Sequence, residues 1–537
     1  MFYNKTYTFY LVIAFLLLSV LFTTPFLRYP FDIFHHLIVI DELYMKITYP
    51  MQKIVGLWVN DIYIMIPSQE YESIVLSQPR YLWHYGWAQL FNVLQIDSSQ
   101  LFLRAKIIHV IQLYISLFSI YYFSNVVLRN IFRTINTAML QWLSFWATLI
   151  WLSIYATFSV VQHQVWIVWY SVNYQITLPF FWYILGLTLV LFFEEISWKK
   201  KFFLAFQILL ISRFILQVHS MEFMYYLMHA SILSLLFIDK VYALFKKYFY
   251  VIIPIIFGLG YIAMQYRPAQ SPIFNYLSLE KLPELYEKIM QEGAQLLNGY
   301  NRASASINEL MYLSVILGFL FLFYSFYQNY YRNIKTHTNL RMFIFIILTS
   351  SFVLIPLYQF TGGLFAMTTY TMVVNRIYYS ASLFMLLPIA VYGILSLYKR
   401  TSLTINILML ALIVFTGLFS KYNDGLHHNY YRNLVSIKNI FNERKVGFNL
   451  SKTDIDIIKA HLGTYEKETS QSQSIRYYAR ADIAFVLKYL LKKEVYWEGR
   501  RAHPDYIKIY NSQKNNNNFY HILFEVPQNF TPYHPYR

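Results

Sequence analysis

The feature of this sequence that most restricts its fold is a block of about 17–20 apolar residues that recurs along the chain. As a helix, such a block spans a hydrocarbon core of about 30 Å. Of the 537 residues, 57% are hydrophobic and 13% are charged, whereas soluble domains carry about 25% charged residues. The blocks predict an all-α polytopic membrane protein with about eleven transmembrane helices. They lie near residues 8–27, 104–123, 137–158, 176–193, 203–218, 223–238, 249–265, 309–327, 342–360, 378–397 and 403–420.

Two apolar stretches are open to more than one interpretation. Residues 203–238 form either two short spans or one helix and a re-entrant piece. Residues 51–66, which include Trp58, are too short for a clear span, so we expect this stretch to lie along the membrane interface or to re-enter the membrane.

The formal net charge is +17, and its distribution predicts the orientation in the membrane. Basic residues precede the first span and follow the second, fourth, sixth, eighth and tenth, and all these loops fall on one side if eleven spans are present. The positive-inside rule then places the N-terminus in the cytoplasm and the C-terminal segment outside it. The residues concerned are Lys5, Arg129, Arg133, Lys199, Lys200, Lys201, Lys240, Lys246, Lys247, Arg332, Lys335, Arg341, Lys399 and Arg400.

The predicted organisation has two parts. Residues 1–420 form the transmembrane domain, with outer loops at about 28–103 and 266–309, and residues 421–537 form a small extracytoplasmic α/β domain. Within the second outer loop, residues 281–298 have the apolar spacing of an amphipathic helix. In the C-terminal part, residues 455–459 and 482–491 are predicted to be helical, and residues 519–524 are predicted to form a strand.

Several chemistries are disfavoured by what the sequence lacks. Without cysteine there are no disulfides, thiolate metal sites or cysteine nucleophiles. The sequence has no Walker loop, no glycine-rich dinucleotide loop and no His-Glu-x-x-His zinc motif, so an ATP-driven pump or a cytoplasmic nucleotide-sugar enzyme is not expected. The basic residues lie mostly between apolar blocks, so we predict no nucleic-acid partner.

The first outer loop opens with a cluster of carboxylates and imidazoles. Asp32 and His35 follow the first span, and Asp41 and Glu42 come soon after. These carboxylates could bind a divalent cation, Mg²⁺ or Mn²⁺, with Asp32 and Asp41 as the candidate ligands. One of them could instead act as general base toward a hydroxyl. The alternative is that they are ordinary loop charges at a helix end.

Other candidates come from ionisable groups near the predicted outer surface. His84 lies among aromatic residues, as in a sugar site or an interfacial anchor. His219 and Glu222 lie between two spans, where ionisable groups point to function unless they snorkel to the surface. Arg376 and Arg80 could pair with a lipid phosphate or serve as interfacial anchors.

The chain also has 51 tyrosines and 46 phenylalanines. Aromatic rings favour membrane interfaces, and they also stack on sugar rings. We interpret most of this excess as interfacial.

Together these features resemble the GT-C class of membrane glycosyltransferases. Span one precedes a long outer loop with acidic residues, the cytoplasmic connectors are short, a second long outer loop follows span seven, and a soluble domain ends the chain. The stretch from Phe31 to Leu37 is similar to the first-loop motif of oligosaccharyltransferase catalytic subunits, which implies that Asp32 is the metal ligand or base. In other members a carboxylate pair acts, which implies Asp41 and Glu42. The Trp-Trp-Asp-Tyr-Gly motif of oligosaccharyltransferases is absent.

The resemblance implies transfer of a sugar from a polyprenyl-phosphate or polyprenyl-diphosphate donor to a glycan or lipid acceptor outside the cytoplasm. His35, His84, Arg80, His219, Glu222 and Arg376 are then candidates for substrate binding. It further implies a bacterial inner membrane and a role in surface polysaccharide assembly. Two alternatives are an O-antigen or capsule polymerase or ligase, and a transporter or flippase.

Overall fold

A computed structural model describes most of the predicted apolar blocks and short pieces of the loops between them. The described residues are 5–21, 36–37, 40–41, 43–44, 54–59, 62–67, 82–96, 101–132, 134–157, 159–160, 163–164, 174–243, 245–246, 276, 279–299, 309–328, 339–368, 377, 379–397, 402–419, 445–446, 450–451, 460, 476–479, 495–497 and 519–521.

The described residues are mostly α-helical. Three short 3₁₀ segments, Leu279–Lys281, Ser351–Leu357 and Leu383–Met385, adjoin longer helices. The α-helices in chain order are α1 (Lys5–Leu21), α2 (Leu82–Val93), α3 (Leu101–Ile131), α4 (Thr137–Thr157), α5 (Tyr174–Phe193), α6 (Trp198–Val218), α7 (Ser220–Leu236), α8 (Leu282–Gly299), α9 (Glu309–Phe326), α10 (Leu340–Ser350), α11 (Gln359–Thr368), α12 (Leu386–Leu397) and α13 (Ser402–Phe419).

Helices occur where ten of the predicted spans lie, and the block at 249–265 falls outside the described residues. Among the described helices, three are long and apolar enough to cross a membrane, namely Leu103–Ile131, Ile176–Phe193 and Trp198–Val218. A fourth span results if Leu340–Pro356 and Gln359–Thr368, bent by 91°, are one broken crossing. The chain therefore has helices suited to a membrane, and the total of about eleven crossings stays a prediction.

The stretch at 203–238, predicted as two short spans or as one helix and a re-entrant piece, is two helices, α6 and α7, which meet at His219. The block at 342–360 is interrupted, because α10 passes into the 3₁₀ segment Ser351–Leu357 and the chain then turns sharply into α11. Pro356 lies in that segment, and proline cannot donate the backbone hydrogen bond that would continue a helix.

The described strands are short. The stretch at 51–66, expected at the interface or re-entrant, is an antiparallel hairpin of β1 (Ile54–Val59) and β2 (Ile62–Pro67). Two small hairpins follow, β3 (Ser159–Val160) with β4 (His163–Gln164), and β5 (Lys445–Val446) with β6 (Leu450–Ser451). A three-stranded parallel sheet has the order β8-β7-β9 and consists of β7 (Arg476–Ala479), β8 (Val495–Trp497) and β9 (Phe519–His521).

Only part of the predicted C-terminal domain can be compared with these strands. The strand β9 lies within the predicted strand at 519–524. The helices predicted at 455–459 and 482–491 fall outside the described residues. An α/β domain over 421–537 therefore stays a prediction.

Side-chain contacts give the relative directions of the helices. The Phe123 and Trp182 ring centroids are 4.8 Å apart near the middle of α3 and α5, and Arg129 pairs with Glu194 near their C-terminal ends. These two helices therefore run parallel. The α4 helix runs between them in sequence and packs on α3.

The helices α6 and α7 form a hairpin against α5. Near the end of α6, Phe214 lies 5.6 Å from Phe180 at the beginning of α5. At the beginning of α7, Glu222 accepts a hydrogen bond from Thr177, also at the beginning of α5. The chain thus reverses at His219, and this turn lies beside the N-terminal end of α5.

These directions separate two ends of the bundle. The Nζ atom of Lys240 lies 4.6 Å from the Phe193 ring centroid, and Arg341 pairs with Asp239 at 2.8 Å. We call this the basic end, defined by Arg129, Lys199, Lys200, Lys201, Lys240 and Arg341. The opposite end is the histidine end, defined by His36, His84 and His219.

The amphipathic helix predicted at 281–298 is confirmed as α8, which packs on α11. The two backbones approach closely because glycines lie at the crossing. A Cβ atom added to Gly293 would overlap the carbonyl of Gln359, and one added to Gly363 would overlap the carbonyl of Ile289. Gln359 Nε2 also donates a hydrogen bond to the Met290 carbonyl at 2.8 Å.

We predict that Gly293→Ala destabilises the protein, because the new methyl group would force α8 and α11 apart. Overpacking of this kind costs about 1–3 kcal/mol. Gly86→Ala is the matched control, since a Cβ atom at Gly86 in α2 would meet nothing within 4 Å, and alanine favours a helix by about 0.5–1 kcal/mol over glycine. Thermal unfolding of the purified protein in detergent measures both. Equal melting temperatures for the two variants would contradict the close crossing.

Candidate functional site

Polar side chains gather at the histidine end from five parts of the chain. These parts are the helical pieces at 36–37, 40–41 and 43–44, the helix α2, the N-terminal portion of α3, the N-terminal portion of α5, and the α6–α7 turn. Buried polar groups are costly unless they are paired, so a concentration of them at one end of an apolar bundle marks a candidate site.

The first element of this site is a buried ion pair. Arg104 Nη1 donates to Asp41 Oδ1 at 2.8 Å, and the two side chains are 0% and 4% exposed. Arg104 also donates from Nε to the Ile96 carbonyl at 3.0 Å, and its guanidinium lies 3.9 Å from the Tyr44 ring centroid. A buried charge pair of this kind requires such additional contacts to offset desolvation. The Asp41 carboxylate is therefore held in one position against the Arg104 guanidinium.

The second element is a pair of imidazoles. His36 Nδ1 and His84 Nε2 are 2.7 Å apart, so one nitrogen donates and the other accepts. The Trp83 ring contacts both edge-to-face, with centroids 5.8 Å from His36 and 4.8 Å from His84. Trp83 Nε1 donates to Gln112 Oε1 at 3.1 Å, which ties this group to α3.

Burial, and to a smaller extent the nearby charge of His219, lower the pKa of His36 from 6.5 to about 3. The His36 imidazole is accordingly neutral near pH 7. The electrostatic coupling also shows that the α6–α7 turn lies within reach of the segment that follows α1.

The third element is at the α6–α7 turn. Glu222 Oε2 accepts from His219 Nδ1 at 2.6 Å and from Thr177 Oγ1 at 3.1 Å. The Glu222 side chain is 5% exposed and that of His219 is 23% exposed. Glu222 does not snorkel to the surface, because its carboxylate is held inside the bundle by α5.

The structure brings together four of the predicted site residues at the histidine end, namely Asp41, His84, His219 and Glu222. His84 is only 2% exposed, so it is buried and does not act as a surface anchor. The other predicted site residues, Asp32, His35, Glu42, Arg80 and Arg376, lie outside the described residues.

Arg104, His36 and Thr177 were not among the predicted site residues. Of the three, Arg104 could most readily have been identified from the sequence, since a cation at the beginning of an apolar block is costly and suggests a partner. Nothing in the sequence pairs Thr177 with Glu222, which is 45 positions away.

The described residues do not support the predicted divalent-cation site. Within the described ranges, no group of three or more His, Asp or Glu side chains is placed to hold a metal ion. One oxygen of Asp41 is already bonded to Arg104. We therefore derive no metal-dependent step from this arrangement.

We predict that Asp41→Leu and Arg104→Met each destabilise the protein strongly, by about 3–5 kcal/mol, because each leaves one buried charge unpaired. The double variant should be more stable than the sum of the two losses predicts. Unfolding in detergent of wild type, both single variants and the double variant tests this. Additive losses would contradict a direct interaction.

A second prediction concerns acid stability. The folded protein keeps His36 neutral down to a pKa of about 3, whereas an unperturbed histidine titrates near 6.5. The unfolded chain therefore binds the extra proton first, so stability is full above about pH 6.5 and falls as the pH is lowered. His36→Gln should lose less stability than wild type between about pH 7 and about pH 5. Parallel melting curves for the two proteins across this range would contradict the assignment.

Comparisons with family models, with curated proteins and with solved structures give no significant match to this chain.

Proposed function

We propose that this chain is a membrane glycosyltransferase that moves a sugar from a polyprenyl-phosphate or polyprenyl-diphosphate donor to a glycan or lipid acceptor. The observation that carries the proposal is the polar cluster at the histidine end, where the segment after α1 meets α2, α3, α5 and the α6–α7 turn. Helices suited to a membrane surround this cluster, which fits a reaction on lipid-linked substrates.

The proposed topology follows from the charge pattern. The basic end faces the cytoplasm, the histidine end faces outward, and the chain crosses about eleven times. The contacts that join Lys240 to Phe193 and Arg341 to Asp239 support this, because they bring loops that follow different apolar blocks to one end. A bacterial inner membrane and an outward-facing C-terminal α/β domain belong to the same proposal.

Glycosyl transfer from a phosphate donor develops positive charge on the sugar and negative charge on the leaving phosphate. A fixed carboxylate near the sugar stabilises the positive charge, and hydrogen-bond donors stabilise the negative charge on the phosphate. Asp41 is the described carboxylate that follows α1, and Arg104 holds it in one orientation. The imidazoles of His36 and His84 and the indole of Trp83 provide neutral polar and aromatic surface beside it.

We predict that Asp41→Asn lowers transfer by about 100-fold or more, because the amide keeps the size of the side chain but loses its charge. The test is a profile of surface and lipid-linked glycans in cells lacking the protein, complemented with each variant at equal membrane abundance. Asp239→Asn is the control, since this exposed carboxylate pairs with Arg341 at the basic end. Asp32→Ala and Glu42→Ala complete the set of first-loop carboxylates.

A truncated glycan that wild type and Asp239→Asn restore, and that one first-loop variant does not, supports the proposal and identifies the carboxylate. Loss of glycan chain length alone, with complete repeat units still attached, would favour a polymerase. Unchanged glycans in the deletion strain would contradict the enzyme, and transport assays would then test the flippase alternative.

A further inference from the structure

The α6–α7 turn contains a carboxylate–imidazole pair, Glu222 and His219, in addition to the Asp41–Arg104 pair. Glu222 accepts two hydrogen bonds on a single oxygen, Oε2, from His219 Nδ1 and Thr177 Oγ1. Glu222 lies in the first turn of α7, where the helix dipole stabilises an anion. Two donors and the helix terminus together suit a carboxylate as the hydrogen-bond acceptor at this position.

This arrangement fixes the tautomer of His219. An ionised carboxylate can only accept hydrogen bonds, so Nδ1 must carry the proton in the 2.6 Å contact. In the neutral imidazole, Nε2 then holds the lone pair and is the nitrogen that can accept a proton. A carboxylate that orients an imidazole through Nδ1 in this way also stabilises the imidazolium that forms on protonation.

We propose that His219 is the general base of the transfer reaction, with Glu222 and Thr177 as its positioning residues. This inference rests on the proposed function. The acceptor hydroxyl attacks the anomeric carbon of the donor sugar while its proton moves to His219 Nε2. The bond from the anomeric carbon to the phosphate oxygen breaks, and the phosphate leaves with the electron pair. The proton on His219 is then released to solvent, which returns the imidazole to its neutral form.

His219 fits this role better than Asp41 for two reasons. The Asp41 carboxylate already accepts a hydrogen bond from the guanidinium of Arg104 at 2.8 Å, so Oδ1 is engaged by another side chain. The His219 side chain is 23% exposed, whereas that of Asp41 is 4% exposed, so a substrate can reach the imidazole more readily. The extended backbone at His219, with φ −158° and ψ 99°, holds the residue between the ends of two helices.

The titratable groups beside His219 include Glu222 and His36. Glu222 bonds to it directly. His36 is electrostatically coupled to it and is neutral near pH 7. Transfer should fall on the acidic side of the pH profile, because a protonated base cannot take the proton of the acceptor hydroxyl.

The test uses purified full-length protein with a total lipid extract of the deletion strain, which contains the accumulated donor and acceptor. Initial rates of product formation are measured by mass spectrometry across the pH range for wild type, His219→Gln, Glu222→Gln and Thr177→Val, with Asp239→Asn as the control. Each variant is first matched to wild type for melting temperature.

We expect His219→Gln to lower the rate by about 100-fold or more and to abolish the acidic limb of the pH profile. Glu222→Gln should lower the rate less and shift that limb, because an amide stabilises the imidazolium poorly. Exogenous imidazole should partly restore His219→Ala, and this readout separates a base from a structural residue.

A His219→Gln rate within about two-fold of wild type would overturn the inference. So would a reduced rate that keeps the acidic limb unchanged and is not rescued by imidazole in His219→Ala. If wild type itself makes no product from this extract, the proposed function fails and this inference fails with it, so the two failures are distinguishable.

Discussion

The buried ion pair between Asp41 and Arg104 ties the chain that follows α1 to the beginning of α3. An isolated charge in an apolar bundle would cost several kcal/mol, and a paired and hydrogen-bonded one costs far less. Because the two charges lie 63 positions apart, their pairing fixes a loop segment against a helix that is far away in sequence. The imidazole pair at the histidine end uses the same segment, since His36 precedes Asp41 by five positions and contacts His84.

Aromatic packing holds the rest of the bundle together. The sequence suggested interfacial or sugar-binding roles for the many tyrosines and phenylalanines. Many of these rings instead lie in the core, as in the contact of Phe15 with Phe118 at 5.0 Å and of Trp182 with Phe384 at 5.2 Å. In a bilayer the hydrophobic effect does not drive helices together, so shape-matched contacts of this kind must do so. The aromatic excess thus has a third role that composition could not reveal.

The two ends of the bundle differ in whether their paired charged side chains are exposed or buried. At the basic end, the pair Arg341–Asp239 is exposed, where it adds little to stability. At the histidine end, the charges of Asp41, Arg104 and Glu222 are buried and held by hydrogen bonds from several elements. Such preorganised charge is what a reaction site needs, because it interacts with a substrate without first giving up bound water. The proposed enzyme and the proposed base both depend on this contrast.

The sequence alone determined the positions of most described helices, because a block of apolar residues long enough for a membrane is a local property that needs no tertiary information. It also predicted α8 from its amphipathic spacing, and it drew attention to Asp41, His84, His219 and Glu222 as ionisable groups in apolar surroundings. It did not predict the hairpin at β1 and β2, where apolar residues without clear periodicity are compatible with either a helix or a strand.

Only the tertiary structure decided which of these residues interact. The partners of Asp41, His84 and Glu222 are Arg104, His36 and Thr177, which come from other elements, and no spacing rule reports a contact between distant segments. The sharp turn after α10, at the 3₁₀ segment that contains Pro356, and the close crossing of α11 on α8 at Gly293 and Gly363 were likewise shown only by the folded chain. Burial and pairing are properties of the folded chain, so the contacts of the site could be assigned only from the positions of the helices in the folded structure.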